Sequence, residues 1–136
     1  MTDSSTSTSG TRRYRLMIVD DSNIIRRQIE RLTAGDQLDI VGTAANGLDA
    51  VTMFEQLKPD LVTMDITMPK MDGIECIERM VKMRPDVLIL VISALADKAT
   101  AIEAMKKGAN GFLSKPFGER ELNVAFTKLL RRLAPR

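Results

Sequence analysis

LMIVDD at residues 16–21 is an apolar run that stops abruptly on two carboxylates, and three further runs stop in the same way on a polar side chain. Residues 61–65 read LVTMD, residues 87–93 read VLILVIS and residues 111–115 read GFLSK. A short run without polar alternation is what a strand buried on both faces looks like, and open parallel sheets bind their ligands just beyond the carboxyl ends of such strands. Asp20, Asp21, Asp65, Ser93 and Lys115 are therefore expected together at one edge of one sheet.

Outward from these runs the chain alternates strand and helix. The spacing predicts strands at 16–19, 38–41, 61–64, 87–92 and 111–113, with helices at 22–34, 47–57, 73–83, 97–107 and 118–133. The last helix has the clearest period: Leu122, Ala125, Phe126, Leu129, Leu130 and Leu133 fall on one face, with Arg120, Lys128, Arg131 and Arg132 off it. Pro59, Pro69, Pro85 and Pro116, and Gly42, Gly73 and Gly111, read as punctuation between segments. Repeated strand-helix units with right-handed crossovers give an α/β fold, a three-layer doubly wound sheet of five parallel strands. The common order for such sheets is 2-1-3-4-5, which sets strands one and three side by side at the switch point. That order is borrowed from known doubly wound sheets and does not come from the spacing.

Composition sets the outer bounds. A length of 136 residues suits one domain. Residues 1–11 are almost wholly small and polar and read as a tail unable to bury enough surface to order, which leaves 12–136 as the domain. Twenty Lys plus Arg against eighteen Asp plus Glu is too balanced to argue for nucleic acid or a membrane surface, and the cations Lys128, Arg131, Arg132 and Arg136 suit the end of a helix. No apolar run approaches the roughly 18 residues of a membrane span, and residues 1–10 lack the features of a signal peptide. With a single cysteine, Cys76, no internal disulfide is possible, and a reducing, cytoplasmic setting is expected for a monomer.

Three carboxylates at one sheet edge repel, and they need a cation. The chain has no histidine and one cysteine, so soft-metal ligands are scarce, whereas carboxylates, a carbonyl and waters suit Mg²⁺. Three carboxylates, one Mg²⁺ and Lys115 sum to zero charge, so an incoming phosphoryl group meets no net repulsion and finds cations to neutralise its oxygens. Each residue alone also has an ordinary reading. Asp20-Asp21-Ser22-Asn23 is rich in helix-capping side chains, Asp65 suits a turn, Ser93 a loop, Lys115 solvent and Phe112 the core. Those readings do not explain why the polar positions coincide at four strand ends.

The stretches MIVDDSNIIRR, LVTMDITMPKMDGIE, VISA and GANGFLSKPF together resemble the receiver domain of two-component response regulators, over about residues 15–133. The resemblance implies that Asp65 accepts a phosphoryl group from a sensor histidine kinase, a phosphotransfer protein or a small phosphodonor. It implies Mg²⁺ on Asp21, Asp65 and the backbone carbonyl of Thr67, with Asp20 acting through water. Lys115 would pair with the phosphoryl oxygens across a cis Lys115–Pro116 bond, Ser93 would move to bond them, and Phe112 would be the aromatic switch. Ser93 is more often Thr in the family and Phe112 more often Tyr. Thr67 and Leu95 stand at positions that vary there. Signal output is implied through helix four, strand five and helix five, towards a downstream target protein such as a flagellar motor component.

The texture, DDSNIIRR included, leans towards single-domain, CheY-like regulators of chemotaxis, and a phosphorelay intermediate has the same features. A flavodoxin-like binder would not place Asp-Asp where a cofactor phosphate must sit. A haloacid-dehalogenase-like phosphatase would need a second carboxylate where the chain has Asp65-Ile66-Thr67.

Overall fold

The computed structural model describes residues 13–33, 37–66, 72–94 and 98–133. Along them run β1 (Tyr14–Val19), α1 (Asn23–Thr33), β2 (Leu38–Ala44), α2 (Gly47–Leu57), β3 (Leu61–Met64), α3 (Gly73–Met83), β4 (Leu88–Ser93), α4 (Lys98–Lys107), β5 (Gly111–Ser114) and α5 (Glu119–Leu133). The strands form one five-stranded sheet in the order β2-β1-β3-β4-β5, all neighbours parallel. This is the expected 2-1-3-4-5 arrangement, with β1 and β3 adjacent. Residues 1–11, Thr67, Pro69, Leu95, Asp97 and Arg136, on which sequence expectations rested, lie outside the described residues.

The unbroken apolar runs serve two cores at once because successive side chains of a strand point to opposite faces. Met17, Val19, Val62, Met64, Ile89 and Val91 join Phe54 of α2, Ile77 and Met80 of α3, and Ala104 of α4 on one face. Leu16, Ile18, Leu61, Leu88, Leu90 and Ile92 join Ile29 of α1 and Leu122, Phe126 and Leu129 of α5 on the other. Ala125 and Leu130, also on the predicted face of α5, are half-buried against that second core, and the side chain of Leu133 lies outside the described part. Among the described residues no helix is long and apolar enough to cross a membrane.

Local signals set the helix ends. Asn46 caps α2 by accepting from the Asp49 N–H, and Asp72 caps α3 by accepting from Glu75. Lys58 ends α2 in the left-handed region at φ 51° and donates its N–H to the Phe54 carbonyl. At the opposite end of the sheet from the carboxylates, the exposed Arg13 guanidinium donates twice to Asp39 Oδ1, at 2.8 and 2.6 Å, and holds that carboxyl below its usual range.

The glycines depart from their reading as punctuation. Gly42 lies inside β2, where the register with β1 shifts between Leu16 and Met17, and a Cβ there would come within 2.7 Å of Leu57 and 2.8 Å of Met53. The tips of the Leu57 and Met53 side chains of α2 lie over that position and would have to move for a larger residue. Gly73 opens α3, and a Cβ on it would meet the Asp65 carbonyl oxygen and the Ile66 Cα, each at 2.4 Å. The close approach of α3 to the end of β3 thus requires glycine.

Two buried groups inside the sheet and helices lead to predictions. Thr63 Oγ1 is buried without a hydrogen-bond partner among the described residues. Leaving such a hydroxyl dry and unpaired costs about 1–3 kcal/mol. Thr63→Val, nearly isosteric, is expected to raise the unfolding free energy by about 1 kcal/mol or more in urea titrations. Cys76 is fully buried and its Sγ lies 3.5 Å from the Gly47 carbonyl oxygen. Burial first, then the Asp72 and Glu75 charges, push its thiol up to about 12. A thiol raised in the fold favours the native state below its unfolded value near 8.5 and loses that advantage as pH climbs towards 12. The alkaline decline in melting temperature is expected to be shallower in Cys76→Ala than in the wild type.

Candidate phosphoacceptor and cation site

Backbone ladders deliver the five polar side chains to one edge. Val19 pairs with Ala44 on one side and Met64 on the other, so Asp20 and Asp65 are the first residues past their paired strands. The Asp20 N–H donates to the Ala44 carbonyl at 3.0 Å and the Asp65 N–H to the Val19 carbonyl at 2.9 Å, which carries the ladder one step beyond the strand ends. Ser93 closes β4 opposite Ser114, and the Lys115 N–H donates to the Ser93 carbonyl at 2.9 Å. The Lys115–Pro116 peptide is cis.

These placements bring Asp20, Asp21 and Asp65 together, one carboxylate oxygen from each lying within 4.8 Å of the others. Asp20 and Asp65 are buried while Asp21 is exposed. Lys115 Nζ lies 2.8 Å from Asp20 Oδ2 and 3.6 Å from Asp65 Oδ2, and its side chain is only 15 % exposed. One lysine against three carboxylates leaves two formal negative charges in a half-enclosed space. At such separations each carboxylate pair repels by roughly 3 to 4 kcal/mol at an effective dielectric near 20. The donor set is all carboxylate, with no imidazole and no thiolate, and this is the chemistry of a hard divalent cation such as Mg²⁺.

Asp20 is engaged at every polar atom. Its N–H is in the ladder, its Oδ1 accepts from the Ser22 N–H at 2.9 Å, its Oδ2 faces Lys115, and its main-chain carbonyl accepts from Arg26 Nη1 at 2.6 Å. Ser22 in turn caps α1, its Oγ accepting from the Ile25 N–H at 3.3 Å. The capping reading of Asp20-Asp21-Ser22-Asn23 and the charged-site reading therefore both hold, on different atoms. Phe112 is half-buried against the core on the α2–α3–α4 side and also borders a cleft of ≈ 470 Å³ between β5 and α5, with Leu90, Ala125 and Leu129. Thr67 and Leu95 lie outside the described residues.

The sequence reading missed Arg26 and Gly73. Nothing in Arg26-Arg27 tells which arginine turns back to the strand end, since that depends on the exit angle of α1. Gly73 looked like a boundary, whereas its function is steric, at the carbonyl of Asp65.

Residues 16–127 match the model of the response regulator receiver domain. The chain belongs to the response regulator receiver family. Over 115 residues the domain is 41 % identical to the chemotaxis protein CheY of Thermotoga maritima, covering 85 % of this chain and 96 % of that protein. It is 36 % identical over 117 residues to CheY of Bacillus subtilis, covering 86 % and 98 %. In structure it is similar to a chain of the CheX–CheY–BeF₃–Mg²⁺ complex from Borrelia burgdorferi, with a TM-score of 0.83 and 31 % identity over 86 % of this chain and 89 % of that one. It is thus a CheY-like receiver domain, and receiver domains are phosphoacceptor signalling proteins that hold Mg²⁺ in an acidic pocket.

Relief of the carboxylate repulsion gives a direct test of the pocket. A cation that binds only the native state adds RT ln(1 + [L]/Kd), about 1.4 kcal/mol at ten times Kd. Millimolar Mg²⁺ is expected to raise the melting temperature of the wild type by a few degrees and to leave Asp21→Ala unchanged, as followed by calorimetry.

Proposed function

We propose that this receiver domain, spanning residues 12–136, is a single-domain response regulator that accepts a phosphoryl group on Asp65 and relays the signal in chemotaxis or motility. The observation that carries the reading is the setting of Asp65: a buried carboxylate just past the end of a central strand, 3.6 Å from the Lys115 ammonium and grouped with Asp20 and Asp21. The likeness to CheY proteins over almost their whole length, and the chemotaxis role of those proteins, support the pathway.

In this reading an Asp65 carboxylate oxygen is the nucleophile. It forms the new bond to phosphorus while the bond to the donor breaks and the donor keeps that electron pair. Asp21 and Asp65, with the Thr67 carbonyl that the family resemblance adds, would hold Mg²⁺, which would supply positive charge to the phosphoryl oxygens. Lys115 supplies a further positive charge, already aimed because its main chain is tied to Ser93 and its ammonium to Asp20. Asp20, with all its polar atoms committed, serves as a fixed anion that orients Lys115 and reaches the cation through water. Hydrolysis of the acyl phosphate uses the same groups, so the protein catalyses only its own phosphorylation and dephosphorylation.

Ser93 and Phe112 form the output step. Ser93 turns its hydroxyl to the phosphoryl group, and Phe112 answers from its half-buried position on the neighbouring strand. The outcome is read on the surface of α4, β5 and α5, where Ile102, Met105 and Val124 are exposed. The partners in this scheme are a sensor histidine kinase or phosphotransfer protein upstream and a target protein downstream.

Incubation with a small phosphodonor and Mg²⁺ is expected to add one base-labile phosphate to the wild type, seen by intact mass. Asp65→Asn should gain none. Equal incorporation in the variant would remove Asp65 from its assigned role.

A further inference from the structure

Arg26 sits on the first turn of α1 and makes two side-chain contacts, one back to the strand end and one within the turn. Its Nη1 donates to the main-chain carbonyl of Asp20 at 2.6 Å, six residues back, and its Nη2 donates to Asn23 Oδ1. The Asp20 carbonyl stands where the chain leaves β1 and turns into Asp21, and it accepts from Arg26. The guanidinium, planar and rigid, ties this turn to the start of α1. Asp21 is the exposed member of the acidic cluster, and its carboxylate position depends on the turn that Arg26 holds.

Two effects of this arginine on a bound divalent cation oppose each other. As a positive charge bonded to the edge of a cation site it repels the metal. As a strut on the Asp20–Asp21 turn it fixes one carboxylate against two others, and groups that orient ligands from behind typically govern 10- to 100-fold in metal affinity. The strut is favoured by geometry. Of its five N–H groups one is given to the main-chain carbonyl of Asp20 and one to the exposed side chain of Asn23, so the arginine is bonded to the turn itself.

We infer that Arg26 is a positioning residue of the cation site, acting through the Asp20 carbonyl to hold the Asp21 carboxylate where a small octahedral ion requires it. The inference rests on the reading of the acidic cluster as a Mg²⁺ site. Rigidity matters most for Mg²⁺, which demands near-ideal octahedral geometry, and least for Ca²⁺, which accepts irregular shells. Arg26 therefore sets selectivity as well as affinity.

Calorimetric titration of the full chain with Mg²⁺ and separately with Ca²⁺ tests this in the wild type, Arg26→Ala, Arg26→Lys and Asn23→Ala. Arg26→Ala is expected to weaken Mg²⁺ by about tenfold and Ca²⁺ by much less, so that the preference for Mg²⁺ narrows. Arg26→Lys, which keeps a donor for the carbonyl without the second arm, and Asn23→Ala, which keeps the arginine without its second anchor, should fall in between. Equal or tighter Mg²⁺ binding in Arg26→Ala would show that its charge dominates and overturn the inference. A uniform loss for both ions would reduce Arg26 to general scaffolding and overturn it as well. If Arg26→Ala fails to fold, the same selectivity ratio in the two milder variants decides. A wild type that binds no Mg²⁺ would instead defeat the reading of the site, a result distinct from either.

Discussion

Three carboxylates held within 4.8 Å of one another are an arrangement that a chain free to relax would abandon. The rest of the structure is what prevents that relaxation. Asp20 and Asp65 are locked to adjacent strands by main-chain hydrogen bonds that continue the ladder, so neither can retreat without breaking the sheet. Lys115 offsets one charge and is itself fixed at the end of β5. The remaining negative charge favours a cation in the pocket.

The platform beneath must be stiff for this to work, and its stiffness comes from having two cores. β1, β3 and β4 are buried on both faces, with different helices packed on each side. A shift at any strand end would have to repack both layers, and close-packed interiors resist that strongly. The outer strand β5 is different: its residues are only half-buried and Phe112 borders a cleft. Side chains on β5 have more room to rearrange than those on the strands that carry the carboxylates.

Most of the architecture was legible because buried parallel strands announce themselves as apolar runs with polar ends. The carboxylates were legible for the same reason: a charged residue directly after such a run has nowhere to go but the sheet edge. The parts that escaped depend on distances between elements. Gly42 reads as a loop residue until α2 is laid against β2, when the lack of space for a Cβ becomes the point. Arg26 and Arg27 are indistinguishable until α1 has a direction relative to β1. Thr63 looked like one more member of an apolar strand, and only the surrounding packing reveals that its hydroxyl has no partner among the described residues.

Cys76, the sole cysteine, is shut inside the core between α2 and α3 and is a thiol, not a thiolate, at neutral pH. The chain also has no tryptophan and a single tyrosine, which leaves it nearly silent to intrinsic fluorescence. Those two facts make it an unusually clean carrier for reporters. A cysteine introduced on an exposed turn of α4 or α5 would take up a fluorophore or spin label at one place, without first removing the native thiol, and its signal would stand on a dark background. Motions of α4 and α5 could then be timed directly in the otherwise unaltered protein.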